Sequence, residues 1–345
     1  MHRTASLFLF GVAWIVCLGA GGRAAPLPPN ESATWELSVL GVNDPARLEA
    51  LRDAPKRRRV KLAVVGEGGV SAKCLEKFVA RGDTFTYHGC GDPGASTHDT
   101  GQLAVTLDMT AALGVDVDVH VWQPPDDFTE VAAAFREAGK TCAIVSFYQS
   151  FWGPNAEQIT RAIRESPAAL FISPYAESGD RPTSEAPQGS ALKPWVADSI
   201  PHFILATPLA RRESKGDLLT PLDRGASDSE IINFVAPSHH ANGPGGTCPA
   251  AATTSACAAY LYAILPGEPR PADIIELLRV TSAIDPALIK SVPEFDDAAV
   301  ERLRQKIEFL LHPPAGKQRK LDAPGVLNLY QASLRVLHPA GQGAN

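Results

Sequence analysis

The sequence predicts an α/β fold, a mostly parallel sheet covered by helices on both faces. Three observations point there. Short apolar runs rich in β-branched residues recur along the chain and end in turn residues. Helical patterns lie between several of them, and such alternation implies a parallel sheet. The chain has 345 residues, 45% hydrophobic and 20% charged, which is enough for one large core.

Residues 1–25 read as a targeting segment outside the fold. His2 and Arg3 give a basic start, Leu7 to Ala20 is apolar, and small residues follow through Ala25. The run is short for a bilayer span and has the length of a cleavable secretory signal. The expected location is therefore secreted or periplasmic, with no stable membrane insertion. Residues 26–59, rich in Pro, Asn, Asp and Ala, read as an N-terminal arm or a short pro-segment. They contain Lys56-Arg57-Arg58-Arg59, which reads as a solvated loop or a processing site.

The folded domain is expected over 60–337, with 338–345 as a tail. Val60 to Val65 is a strand ended by Gly66-Glu67-Gly68-Gly69. Further strands are expected at Val117 to Val121, Ala143 to Phe147, Ala169 to Ile172 and Phe203 to Ala206. Helices are expected at Gly101 to Leu113, Phe128 to Ala138 and Glu157 to Glu165. Ser178 to Trp195 is polar and rich in Pro and Gly, hence loop, and 210–230 reads as an exposed charged loop.

The net charge of -6, with only short basic clusters, leaves no electrostatic footprint for nucleic acid. Six cysteines are present. Cys17 leaves with the signal, and the odd number that remains leaves at least one thiol unpaired in an oxidising compartment. His239-His240 are adjacent, and no HExxH or paired Cys-x-x-Cys occurs, so no metal or other cofactor is expected at the site. A structural calcium in a loop stays open. The sequence fixes no oligomeric state.

Four segments carry chemistry. In Thr247-Cys248-Pro249-Ala250-Ala251-Ala252 a Gly-rich loop leads into an Ala-rich helix, and Pro249 suits a first helical position. Cys248 then sits where positive partial charge favours a thiolate and where backbone N–H groups face a developing oxyanion. Taken alone, it reads equally as a small buried thiol in a helix contact. Gly246 to Ala251 resembles the nucleophile block of the subtilisin-like serine peptidases, with Cys248 in the serine's place and Ala252 in that of the family's proline. Phe234-Val235-Ala236-Pro237 before it is similar to the strand that precedes that block. Ile274 to Leu278 with Thr281, and Gly325-Val326-Leu327-Asn328 with Ala332, resemble the family's later helices. These landmarks stand in the family's order.

In the second segment, Val65-Gly66-Glu67-Gly68-Gly69-Val70, Glu67 takes the place of the aspartate that orients the family's catalytic histidine. Gly66-x-Gly68-x-x-Ser71 also approaches a dinucleotide fingerprint but lacks the third glycine. A plain turn is a third reading. The third segment, Thr97-His98-Asp99-Thr100-Gly101, resembles the histidine motif. His98 takes the general base's place, and Asp99 replaces a glycine. A surface helix cap is the alternative for His98 alone. In the fourth, Leu170 to Gly179, Glu177 replaces the asparagine that donates to the oxyanion. Ionised it would repel the oxyanion, and protonated it would donate, which favours mildly acidic pH. Ser146 resembles the start of the substrate-binding edge, altered by the aromatic residues that follow.

The resemblance implies a three-layer subtilisin-like fold and a peptide or protein partner. Two functions remain open. One is a secreted peptidase with a Cys248-His98-Glu67 triad, with Glu177, Ser146 and Thr247 at the oxyanion and substrate positions. Its thioester would also permit acyl transfer to amines. The other is an inactive pseudopeptidase whose cleft binds peptides or proteins.

Overall fold

Asp44 starts the helix at 45–53 by accepting a 2.8 Å hydrogen bond from the Arg47 amide, with Pro45 in the first turn. The computed structural model describes residues 31–66, 70–89, 97–124, 128–148, 156–174, 200–211, 218–219, 229–232, 234–238, 247–283, 297–312, 318–321 and 325–339. In chain order its first helices are α1 (Glu31–Val39) and α2 (Pro45–Asp53). Then come β1 (Val60–Val65), the short α3 (Glu76–Val79), β2 (Thr84–His88) and α4 (Thr97–Ala112). The alternation continues through β3 (Val117–Trp122), α5 (Phe128–Thr141), β4 (Ile144–Ser146), α6 (Ala156–Arg164) and β5 (Leu170–Pro174). Next are β6 (Phe203–Arg211), β7 (Leu218–Leu219), β8 (Ser229–Ile232) and β9 (Phe234–Ser238). The last elements are α7 (Thr247–Ile264), α8 (Pro271–Thr281), α9 (Asp297–Leu311), β10 (Gln318–Leu321) and α10 (Leu329–Leu337).

The main sheet runs β2-β3-β1-β4-β5-β6-β7, with β9 also paired to β6. Its pairings are parallel except that of β6 with β7. β8 and β10 form a separate parallel pair. At the centre, Val64 of β1 registers with Val121 on one side and Ser146 on the other.

The central strands β1, β4 and β5 are buried on both faces, which is why they read as near-continuous apolar runs. Leu62, Val64, Val119 and Val121 point to a layer that includes Leu107 of α4, α7, and Ile274 and Leu278 of α8. Ala63 and Val65 point the other way, to Phe135 of α5, Ile159 and Ile163 of α6, and Leu303 of α9. Small residues let α7 lie deep in the first layer, where Ala250, Ala251, Ala252, Ala256, Ala258 and Ala259 are fully buried. Thr106 of α4 donates to the Ala252 carbonyl at 3.0 Å and locks the two helices together.

Residues 31–54 join the same core. Leu37, Leu40, Val42 and Leu51 are buried in it, and the Tyr260 hydroxyl of α7 donates to the Leu51 carbonyl at 2.9 Å. The basic run at 56–59 is engaged rather than free: Arg57 and Arg58 bond carbonyls at the end of α7, and Arg59 pairs with Asp118.

Several elements differ from expectation. β2 was not anticipated, because its Thr-Phe-Thr-Tyr-His run is polar at alternate positions and lies half-exposed at the sheet's edge. Within 210–230, Leu218–Leu219 pairs with the end of β6, and β8 begins at Ser229. α9 and β10 were likewise unmarked. No helix among the described residues is long and apolar enough to cross a membrane. Residues 1–25 and the loop at 178–195 lie outside the described residues.

Candidate active site

The chain runs from β1 outward to β2 and back to β3 on one side, then crosses to β4, β5 and β6 on the other. The reversal falls between β1 and β4. In a parallel sheet the crevice beyond the carboxyl ends of such strands is where ligands bind. Gly66 leaves β1 there, and Phe147 and Tyr148 leave β4. The N-terminus of α4 is tied to the chain beyond β1 by the Thr100 hydroxyl, which accepts from the Ser71 amide at 2.8 Å. The N-terminus of α7 is tied to β4, because the Cys248 thiol donates to the Tyr148 carbonyl at 3.2 Å.

His98 and Cys248 therefore meet, from the second positions of two different helices. The His98 side chain is 48% exposed, Cys248 is half-buried, and Asp99 is 1% exposed. His98 Nδ1 lies 3.1 Å from Asp99 Oδ1. The Asp99 hydrogen bond first, and the Cys248 hydrogen bond next, push the imidazole up from its ordinary 6.5 to about 10. Both contacts favour the charged form of the ring.

A polar network supports the site from below. The Ser146 hydroxyl is buried and lies 2.9 Å from that of Ser255 on α7, which is 2.8 Å from the Ala251 carbonyl. The Tyr148 phenol is buried above it, pushed up to about 12 by burial against its hydrogen bonds with Ser146 and Thr106. Ser146 thus turns its side chain inward, and it is Tyr148, two residues on, whose main chain meets Cys248. Thr247 opens α7, two residues ahead of the start expected from Pro249.

Glu67, Glu177, His239 and His240 lie outside the described residues, as do Phe151 and Trp152. Asp99 and Tyr148 are the site residues that sequence reasoning missed. The signal for Asp99 was present, a carboxylate directly after His98 where the resembled motif has glycine.

Among the described residues Cys74, Cys142, Cys248 and Cys257 are in no disulfide, so Cys248 is not bridged to Cys142 or Cys257. Cys142 is buried near Lys61 and Asp118, and Cys257 is buried in the middle of α7. No cluster of three or more His, Cys, Asp or Glu among the described residues has the geometry to hold a metal ion. His88 and His120 touch at 3.1 Å near the β2 edge, but stacking of His88 on Trp122 and burial hold their rings in a packed slab.

No protein-family model matches the chain, and no curated protein matches it. Solved structures do. A lanthipeptide protease superposes with a TM-score of 0.54 at 13% identity, covering 88% of this chain and 95% of that one. MycP1 from Mycobacterium smegmatis gives 0.49 at 14% identity, over 89% of this chain and 86% of the other. The PatG macrocyclase domain gives 0.49 at 13% identity, over 84% and 95%. At such identities the likeness is one of fold. The fold is the three-layer subtilisin-like α/β arrangement expected from the sequence.

Proposed function

We propose that this chain is an exported peptide-bond hydrolase in which Cys248 is the nucleophile and His98 its acid–base partner. The observation that carries the reading is the double engagement of the His98 ring, with Asp99 at Nδ1 and Cys248 beside it, at the N-terminus of α7. A neighbour of the same fold is a lanthipeptide protease, which supports a peptide as substrate.

With Nδ1 taken, Nε2 is the nitrogen left for the sulfur. A neighbouring imidazolium favours negative charge on sulfur, the nucleophilic form. The sulfur attacks the scissile carbonyl carbon and a C–S bond forms. The C–N bond breaks, and the amine leaves with the proton held by His98. Water, giving a proton back to His98, attacks the thioester carbon, and the C–S bond breaks to release the acid and the thiolate. An amine in place of water gives ligation instead. The backbone N–H of Cys248 at the helix start faces the tetrahedral oxyanion, and the helix dipole adds to its pull. Glu177, when protonated, is the second donor that the sequence offers. For the carboxylate that orients His98, Glu67 qualifies by sequence position and Asp99 by contact.

One observation favours the pseudopeptidase reading. The Cys248 sulfur donates to the Tyr148 carbonyl, a bond that belongs to the neutral thiol and not to the thiolate. Thiol alkylation of the mature chain from pH 4 to 8, followed by mass spectrometry, separates the two. A nucleophile labels at Cys248 faster than at the exposed Cys74, keeps labelling at low pH, and slows in His98→Ala. The same preparation cleaves a peptide library, and Cys248→Ala abolishes that cleavage. A Cys248 that reacts no faster than Cys74, in a protein that cleaves no peptide, sinks the hydrolase and leaves a binding cleft.

A further inference from the structure

Neighbouring residues on a helix point about 100° apart, so side chains at i and i+1 do not ordinarily face each other. Yet Asp99 Oδ1 lies 3.1 Å from His98 Nδ1 in the first turn of α4. The carboxylate is buried while the ring it holds is half-exposed. A buried carboxylate needs compensating positive charge, and here the imidazolium and the N-terminal end of the α4 dipole supply it. Space for it is made by Gly66 at the end of β1. A Cβ on Gly66 would overlap Asp99 Oδ2. The strand end that carries a carboxylate in the resembled family is here shaped to receive one from the helix.

We propose that Asp99 is the positioning residue of the site: it fixes the His98 ring and its tautomer, the role that sequence order assigns to Glu67. This rests on the reading of His98 and Cys248 as the reacting pair. With Asp99 holding Nδ1–H, the ring presents Nε2 to the sulfur, and the negative carboxylate stabilises the imidazolium that holds the proton for the leaving amine. The groups that face His98 are Asp99 from α4 and Cys248 from α7. Tyr148, beside both, stays neutral because burial pushes its phenol up to about 12. Glu67 follows Gly66 in the chain and is the competing carboxylate.

The test is an NMR titration of the imidazole carbons in the full mature chain, with the His98 signal assigned by its loss in His98→Gln. In Asp99→Asn the His98 midpoint is expected to fall from near 10 by roughly one to three pH units, the usual effect of an opposite charge in contact. Gly66→Ala, which displaces the carboxylate without removing it, is expected to lower the midpoint in the same direction, and it serves as the second variant if Asp99→Asn fails to fold. Glu67→Gln is expected to leave the midpoint in place. Asp99→Glu, the conservative change, is expected to recover part of the shift. A midpoint unmoved in both Asp99→Asn and Gly66→Ala overturns the assignment, as does a fall in Glu67→Gln as large as that in Asp99→Asn. The titration reads the ring whether or not peptide is cleaved. An inert Cys248 with an Asp99-sensitive ring therefore sinks the hydrolase alone, and a reactive Cys248 with an Asp99-insensitive ring sinks this inference alone.

Discussion

The backbone amide of Arg57 donates to the carbonyl of Ala263 at 2.7 Å, so the strand-entry segment caps the far end of the helix that carries Cys248. The last carbonyls of a helix have no partner within it. Here the Arg57 guanidinium also bonds the Ile264 carbonyl at 3.0 Å, and Arg58 bonds those of Leu265 and Gly267. Cations at this end also complement the helix dipole. Arg57→Ala is expected to cost about 1–2 kcal/mol in urea unfolding, since its amide bond survives and only the charged bond is lost. Arg57→Ala with Arg58→Ala is expected to cost more than either alone. A double variant as stable as the parent would mean that the run is a solvated loop after all.

His98 makes stability depend on pH in a stated direction. Its folded value, about 10, lies above the ordinary 6.5. The folded state therefore binds the proton more tightly, and that contribution is fully present below about pH 6.5. It is lost progressively as pH rises through about 10. Unfolding curves at pH 6, 8 and 10 for the parent and for His98→Gln isolate the contribution. The gap between the two is expected to narrow across this window, and a gap that widens with pH would contradict the imidazolium assignment.

The thiols sort by environment. Burial pushes Cys142 up to about 12 and Cys257 higher still, whereas Cys74 is exposed and Cys248 half-buried. Native protein at pH 7 is expected to label at Cys74 and Cys248 and to spare Cys142 and Cys257 until denaturant is added. Mass spectrometry of tryptic peptides reads this directly. Labelling of Cys257 in the native state would mean that α7 opens far more readily than its packing allows.

How much of this was legible in the sequence depends on the residue. Val60–Val65 was readable to the residue because a strand buried on both faces reads as an apolar run, broken here at the exposed Lys61. β2 was not, because an edge strand tolerates threonine and histidine on its open side. His98 and Cys248 could be paired across 150 positions because their flanking segments resemble the histidine and nucleophile motifs of the subtilisin-like family, in that family's order. For Asp99 the carboxylate beside His98 was legible but its contact was not, since adjacency on a helix argues against contact and it is Gly66, thirty-odd positions earlier, that leaves room for the carboxylate. The burial of Ser146 was hidden for the same kind of reason: its partner Ser255 belongs to a helix that lies against β4 only in the folded state.

Tyr148 offers a way to separate support of the site from its chemistry. The residue meets Cys248 through its main-chain carbonyl, while its phenol serves the buried network with Ser146 and Thr106. Tyr148→Phe keeps the carbonyl and the ring and removes the hydroxyl. Both hydroxyl partners retain others, Ser146 through Ser255 and Thr106 through the Ala252 carbonyl, so neither is stranded in the core. The loss is then one net buried hydrogen bond, about 1 kcal/mol in urea unfolding. Alkylation of Cys248 is expected to keep its parental rate and pH profile. Tyr148→Ala also empties the ring's volume and is expected to cost about 3–5 kcal/mol. If Tyr148→Phe instead slowed Cys248 labelling tenfold with little loss of stability, the phenol would belong to the reacting set and the carbonyl contact would not be the link that matters.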